Sequence, residues 1–151
     1  MTNISFYLVA DATTPAGVDG VLPALLQKIL SAGHRVVVRC QDADRVARLN
    51  EFLWTYQPES FIPHGAENDG FKEDQPVFLT DGDDNPNGAD ILIRLSGSEC
   101  TTFSSYARVL DLFEGSDPQK QAARKRWTEL KEKGYPLEHY KCVEGKWTKI
   151  A

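Results

Sequence analysis

The stretch Ile4-Ser-Phe-Tyr-Leu-Val9 is short, apolar and rich in residues that favour β-structure, so it predicts a buried strand. Apolar residues then recur at helical spacing from Val21 to Leu30. We expect Pro23 in the first turn of this helix, where its missing N–H leaves no hydrogen bond unmade, and Gly33 at the C-terminus. His34-Arg-Val-Val-Val-Arg39 predicts a second strand. A strand–helix–strand opening is typical of layered α/β folds with a largely parallel sheet.

The rest of the chain continues to alternate between strand and helix patterns. The expected elements are a helix that Asp42 caps, strands over 76–80, 90–95 and 107–113, a helix that Asp117 caps and that ends at Gly134, and a hairpin over 139–150. Segments 65–75 and 81–89 are expected to be exposed loops. Because the chain has no internal repeat and no linker, we predict that residues 1–151 form a single domain with α/β/α layers.

Composition and cysteine usage restrict the class of protein. With 41% hydrophobic and 26% charged residues, the chain shows ordinary globular usage, which excludes disordered, collagen-like and coiled-coil chains. No apolar run is long enough to cross a membrane, and the first residues lack the pattern of a secretory signal. Cys40, Cys100 and Cys142 form no C-x-x-C pair. We therefore expect neither a disulfide framework nor a zinc site, and a reducing, cytoplasmic location.

Charge is distributed unevenly along the chain. From Lys120 to the end, nine Lys or Arg residues stand against four Glu, which gives this segment a net charge of +5. The first 119 residues hold eight basic and 18 acidic groups, a net charge of −10. The asymmetry indicates that the C-terminal segment offers a positive surface to an anionic partner. A chain this acidic over most of its length is poorly suited to lie along a phosphate backbone, so a small anionic element is the better match.

The motifs of catalysis and of cofactor binding are missing. The loop after the first strand contains only Gly17 and Gly20, which form neither glycine-rich phosphate motif. An EF-hand that began at Asp81 would need Gly and Glu where Pro86 and Leu92 stand. No nucleophile, base and orienting acid occur as a recognisable set. We therefore expect no catalytic residues, no metal and no cofactor.

The helix after Pro118 carries a basic face. Lys120, Arg124, Trp127 and Lys131 recur at spacings of four, three and four, which places them on one side of the helix. This face is either a solvated cationic surface beside a core tryptophan or a pocket for an acidic peptide with an apolar end residue. In the pocket, Arg and Lys would hold carboxylates while Trp packs against the side chain.

A second group of apolar residues lies in the middle of the chain. Trp54 stands at a helix end, and Phe61, Ile62 and Pro63 follow in an extended segment. The pattern alone allows these residues to be part of the core or of a second interface.

In this order, these features resemble the chi subunit of bacterial DNA polymerase III holoenzyme. The matching stretches are Phe6-Tyr-Leu8 with Thr13-Thr14 after it, Gly33-His-Arg-Val-Val37, Leu53-Trp54, Pro58-Glu-Ser-Phe-Ile-Pro-His64, Asp90-Ile-Leu-Ile93, Val109-Leu-Asp-Leu-Phe113, Lys120-Gln-Ala-Ala-Arg-Lys-Arg-Trp127, Gly134-Tyr135 and Trp147. The resemblance covers nearly the whole chain; the Pro58–His64 motif is fairly specific, whereas the basic helix alone would not be. It implies a mostly parallel, Rossmann-like sheet without nucleotide chemistry, in a non-catalytic subunit of a DNA-directed DNA polymerase holoenzyme.

The resemblance also implies partners and site residues. The acidic C-terminal tail of single-stranded DNA-binding protein would bind on the last helix, where the family's basic and aromatic residues match Lys120, Arg124 and Trp127, with Lys131 and Phe113 beside them. Trp127 stands where the family usually has Tyr, and Thr128 replaces a basic residue. Lys131 or Lys125 would compensate for the missing charge.

A second surface with Trp54, Phe61 and Pro63 would bind the psi subunit, and through it the clamp loader, or an accessory helicase. Nucleic acid would be contacted only indirectly.

Two other function classes remain as alternatives. A nucleotide-dependent enzyme could use the carboxyl edge of the sheet, and nucleotides would then stabilise the protein against heat. The positive C-terminal segment could instead bind single-stranded nucleic acid directly, with a steep dependence on salt.

Overall fold

The structure is a computed structural model that describes residues 2–9, 18–55, 64–66, 76–82, 88–95, 106–114, 116–143 and 146–149. In chain order its elements are β1 (Asn3–Val9), α1 (Val18–Ser31), β2 (Val36–Arg39), α2 (Ala43–Thr55), β3 (His64–Ala66), β4 (Val77–Thr80), β5 (Ile91–Leu95), β6 (Arg108–Glu114), α3 (Asp117–Glu132), β7 (Leu137–Val143) and β8 (Lys146–Lys149). These elements confirm the predicted strands, helices and terminal hairpin.

The strands form one sheet in the order β3-β4-β2-β5-β6-β1-β7-β8. All neighbouring pairs are parallel except β7 and β8, which pair antiparallel as the hairpin at one edge. The sequence therefore predicted the mostly parallel sheet correctly. The first strand lies inside the sheet, between β6 and β7, and this order brings the last part of the chain beside the first.

Two hydrophobic clusters on opposite faces of the sheet make the layers. On one face α1 and α2 contribute Leu22, Leu26, Ile29, Leu49 and Leu53, which pack on side chains of the central strands. On the other face α3 contributes Ala123 and Leu130, which pack with side chains of β1, β6 and other strands. The central strands are buried on both sides because helices cover both faces, as in other parallel sheets. This arrangement confirms the expected α/β/α layers.

The helix boundaries correct two expectations. Helix α1 begins at Val18, so Pro23 lies inside the helix rather than in its first turn, and one helical hydrogen bond is not made. Ser116, not Asp117, is the N-cap residue of α3, with an extended backbone (φ −67°, ψ 149°). Asp117 lies in the first turn, where its carboxylate interacts favourably with the positive end of the helix dipole.

Other helix signals are confirmed. The backbone N–H of Arg45 donates to Oδ1 of Asp42 at 2.8 Å, as expected for an N-cap. Gly33 and Gly134 follow α1 and α3 with φ of 86° and 87°, a conformation that residues with a Cβ rarely adopt.

The segment expected to be an exposed loop at 65–75 also needs a correction. Its first two residues belong to β3, which pairs with β4 at the edge of the sheet. The local pattern did not predict this strand because Gly65 and Ala66 have low β propensity. Residues 67–75 and 83–87 lie outside the described residues.

Candidate functional site

A cavity of about 610 Å³ lies between α3 and the strands β6, β1 and β7. Its lining combines apolar and cationic side chains: Phe6, Leu8, Phe113, Lys120, Ala123, Arg124, Trp127, Thr128 and His139. A concave apolar surface with a few charged groups at its border is the usual form of a ligand site. The cavity can therefore hold an apolar group next to an anionic one.

The register of three parallel strands positions the walls of the cavity that the sheet provides. Phe6 of β1 lies opposite His139 of β7, and Leu8 of β1 lies opposite Phe113 of β6. Side chains two residues apart on a strand share a face, so Phe6 and Leu8 both face α3. Three segments far apart in sequence thus meet on one side of the sheet.

Helix α3 turns two neighbouring rows of side chains toward this region. Ala123 and Leu130 are buried, and Arg126 lies in the same row at spacings of three and four. Lys120 and Arg124 form the next row, at the border of the cavity. Trp127 is half-buried and belongs to the cavity lining as well as to the hydrophobic cluster under α3.

Arg126 of α3 forms an ion pair within the fold. Its Nε donates to Oδ2 of Asp111 at 2.7 Å and its second guanidinium nitrogen donates to Oδ1 at 2.8 Å. The side chain of Asp111 is only 3% exposed and that of Arg126 is 17% exposed. This two-pronged pairing neutralises the carboxylate beneath α3. Arg126 is thus held in place away from any external anion.

Contacts between aromatic rings hold Trp127 in position. Its ring lies 5.4 Å from that of Phe6 in an edge-to-face arrangement, with 69° between the planes. Phe6 also contacts Phe113 edge-to-face, at 6.4 Å between ring centres. The Arg126 guanidinium carbon is 5.9 Å from the centre of the Phe6 ring. Since these contacts are already made, Trp127 offers a fixed apolar wall to a bound group.

Lys120 and Arg124 supply the positive charge of the cavity. They stand one helical turn apart; Lys120 is half-buried and Arg124 is exposed. The guanidinium of Arg124 has the planar fork that suits a carboxylate, whereas the Lys120 ammonium acts as a point charge. Thr128 also lines the cavity but, as a threonine, carries no charge. Its hydroxyl donates to the backbone carbonyl of Arg124 at 3.1 Å.

His139 is the titratable residue that β7 adds to the lining. Its ring centre is 6.0 Å from that of Trp127 and 6.1 Å from that of Phe113. Burial lowers the pKa of His139 below the usual histidine value, so the imidazole is neutral at pH 7. Among the described residues its buried Nε2 has no hydrogen-bond partner.

The structure brings together four residues predicted for the tail site: Phe113, Lys120, Arg124 and Trp127. Lys131 is exposed one turn further along α3 and does not belong to the lining. The residues that sequence reasoning missed are Phe6, Leu8, Ala123, Thr128 and His139. Local sequence patterns could not identify these residues as part of the site, because their position at the cavity depends on the strand order and the register.

The second predicted surface lies mostly outside the described residues. The backbone of Trp54 belongs to the last turn of α2, and nothing is described of its side chain. Phe61 and Pro63 are not among the described residues. The assignment of these three residues to an interface stays a prediction.

The described residues contain neither a candidate membrane-spanning helix nor a candidate metal site. None of their helices combines the length and the apolar character needed to cross a membrane. No three His, Cys, Asp or Glu side chains in this part of the chain stand close enough to hold a metal ion.

Comparison with known proteins identifies the family. Residues 1–138 match the family model described as DNA polymerase III chi subunit, HolC. The DNA polymerase III subunit chi of Pseudomonas aeruginosa is 32% identical over 142 residues, which covers 93% of this chain and 97% of that protein. The protein of the same name from Escherichia coli K12 is 30% identical over 141 residues, or 91% and 96% of the two chains. This chain therefore belongs to the DNA polymerase III chi subunit family.

Proposed function

We propose that this replication accessory subunit binds the acidic C-terminal tail of single-stranded DNA-binding protein in the cavity beside α3, and links it to the psi subunit and the clamp loader. One observation carries the proposal. Lys120, Arg124, Trp127 and Phe113 line the same cavity, although Phe113 comes from a strand and the others from a helix. Family membership supplies the setting, a DNA polymerase III assembly.

The chemistry of the cavity matches the end of an acidic peptide. Trp127 presents aromatic surface to an apolar last residue, the buried rings of Phe6 and Phe113 belong to the same lining, and Arg124 and Lys120 stand at the border of the cavity. A chain terminus adds its own carboxylate to those of the acidic side chains. Arg124 would hold that carboxylate in a fork while Lys120 attracts the neighbouring acidic residues.

The charge of the chain favours a short anionic ligand over a long polyanion. The segment from Lys120 onward, which holds most of α3, carries +5, whereas the first 119 residues carry −10. A nucleic-acid strand that extended beyond the cavity would enter the repulsive field of the acidic part. A flexible protein tail avoids most of this repulsion, because only its end has to lie in the cavity.

A moderate affinity would suffice for such a tether. Arg124 is exposed, and attraction between exposed charges is screened over about 8–10 Å at physiological salt. Several tails on one DNA-bound oligomer would raise the local concentration of ligand, so repeated weak contacts can hold a large assembly.

The first test is titration calorimetry of the whole protein with a short peptide that is rich in Asp and ends in an apolar residue. We expect one site, with a dissociation constant that rises with salt. A peptide of the same sequence with an amidated C-terminus should bind at least about tenfold more weakly, since it lacks the charge that the Arg124 fork would hold. Absence of binding, or equal binding of the two peptides, would contradict the proposal.

A second surface would serve the psi subunit or an accessory helicase. It would contain Trp54, Phe61 and Pro63, and the last turn of α2 carries the backbone of Trp54. Helix α2 packs on the face of the sheet opposite α3. A partner bound at the end of α2 would therefore not compete with a peptide in the cavity.

Phe61→Ala should weaken binding of the psi subunit by about tenfold or more, because aromatic anchors carry a large share of interface energy. Binding of the acidic peptide should not change. Surface plasmon resonance with immobilised psi subunit measures the first effect, and calorimetry measures the second. If the variant loses both partners, the substitution has disturbed the fold, and Phe61 would be a core residue rather than an interface residue.

The proposal also includes the remaining expectations from the sequence. The chain would have no catalytic site, would contact nucleic acid only through its partners and would act in the cytoplasm. Residues 1–151 would form one domain, because the described strands of its two ends pair in one sheet.

A further inference from the structure

We propose that the His139 imidazole pairs with a carboxylate of the acidic peptide end in the cavity, and that the protein takes up a proton when this peptide binds. The inference rests on the proposed function, because it assigns a role to one more residue of the same site. It makes tail binding dependent on pH between about 6 and 8, where histidine is the side chain that ordinarily changes its charge.

The position of His139 carries the inference. It lines the cavity from β7, opposite the wall that α3 provides with Lys120 and Arg124. Its ring lies near those of Trp127 and Phe113, at 6.0 and 6.1 Å between ring centres. A peptide carboxylate that Arg124 and Lys120 draw into this space therefore arrives beside the imidazole.

The unused hydrogen-bonding capacity of the ring supports the same role. Nε2 of His139 is buried and makes no hydrogen bond to any of the described residues. A buried polar atom without a partner costs free energy, and a bound group that supplies a partner removes part of that cost. An anionic ligand therefore stabilises this imidazole more than it would stabilise a histidine that already has a partner within the fold.

The charged groups nearest to His139 come from α3, β6 and β7. On α3 these groups are Lys120, Arg124 and Arg126; on β6 Asp111 is already paired with Arg126. Phe6 and Leu8, the facing residues of β1, do not titrate. On β7 itself Lys141 shares the face of His139, while Glu138 and Tyr140 alternate onto the other face and pair there with each other. On β8, Lys149 pairs with Glu138 on that other face.

Proton uptake follows from the burial of the His139 ring and from the carboxylate that binds beside it. Burial lowers the pKa of His139 in the empty protein, so the ring is neutral at pH 7. A carboxylate beside the ring stabilises its charged form and raises its pKa in the complex. The complex then binds more protons than the free protein, so the peptide must bind more tightly as pH falls from 8 to 6. Asp side chains and the peptide terminus stay ionised over this range.

The test is calorimetry with the same acidic peptide at pH 7, in two buffers with different enthalpies of ionisation, and at pH 6 and pH 8. For the unaltered protein we expect proton uptake, and an affinity that is higher at pH 6 than at pH 8 by at most about tenfold for each unit by which binding raises the pKa. His139→Asn should bind the peptide with little dependence on pH and no uptake. His139→Phe keeps an aromatic ring and should bind more weakly at every pH.

His34→Asn is the matched control. His34 lies outside the cavity, and its Nδ1 is 2.5 Å from Oδ2 of Asp90. This variant should keep the full pH dependence. If the unaltered protein binds the peptide without proton uptake and His139→Phe binds equally well, the role of His139 is refuted and the proposed function stands. If no variant binds the peptide and the unaltered protein does not bind it either, the proposed function itself is refuted.

Discussion

Arg126→Ala is expected to lower the free energy of unfolding by about 3–5 kcal/mol, the usual cost of removing one partner of a buried ion pair. The carboxylate of Asp111 is 3% exposed, and the Arg126 guanidinium satisfies both of its oxygens. Without that guanidinium the carboxylate remains buried beneath α3 and loses the hydrogen bonds to both of its oxygens. Urea denaturation monitored by tryptophan fluorescence and far-ultraviolet circular dichroism measures the loss.

Three further variants make this prediction specific. Arg48→Ala removes the same side chain from an exposed position on α2 and should change stability by less than about 0.5 kcal/mol. Arg126→Lys keeps the charge but loses the fork, so an intermediate loss is expected. The double variant Asp111→Leu with Arg126→Met should recover most of the loss, since it leaves no unpaired buried charge. A loss below about 1 kcal/mol in Arg126→Ala would show that the pair does not support the fold.

Arg124→Ala is expected to weaken binding of the acidic peptide by about 2 kcal/mol or more, which is about 30-fold in the dissociation constant. Arg124 lines the cavity and is exposed, so its removal takes away the fork for the peptide carboxylate without removing a buried contact. The free energy of unfolding should therefore stay near that of the unaltered protein. Calorimetry gives the affinity, and urea denaturation gives the stability.

The salt dependence provides a second measurement on the same variant. If Arg124 contributes through its charge, the dissociation constant of Arg124→Ala should rise less steeply with salt than that of the unaltered protein. Arg48→Ala, with an equal loss of charge outside the cavity, should bind the peptide normally. Lys131→Ala should have a small effect, because Lys131 does not line the cavity. Unchanged affinity in Arg124→Ala would remove this residue from the site.

Local patterns were sufficient to predict most of the secondary structure. Runs of β-forming residues gave the strands, and the hairpin at the end of the chain followed from its turn. Asp42, Gly33 and Gly134 marked helix ends through local backbone chemistry. Pro23 was misleading because packing of α1 on the sheet outweighs one missing hydrogen bond.

Local patterns predicted the role of some basic residues of α3 but not of others. The spacing of Lys120, Arg124 and Trp127 correctly placed them on one side of α3. The same spacing also assigned Lys131 to the site, although Lys131 does not line the cavity. The spacing also did not distinguish Arg126, which pairs with Asp111, from the basic residues of α3 that face solvent. A signal for Arg126 was present, because Asp111 stands in the apolar strand Val109-Leu-Asp-Leu-Phe113 and a buried carboxylate requires a cation.

The amino-acid sequence by itself determined the layered α/β class, the positive segment at the end of the chain and the side of α3 that carries Lys120 and Arg124. These properties depend on periodicity and charge within short segments. Only the tertiary structure decided that Phe6, Phe113 and His139 meet beside that helix, because their meeting depends on β1 pairing between β6 and β7. Strand order and register are set by packing across the whole sheet, which no single segment encodes.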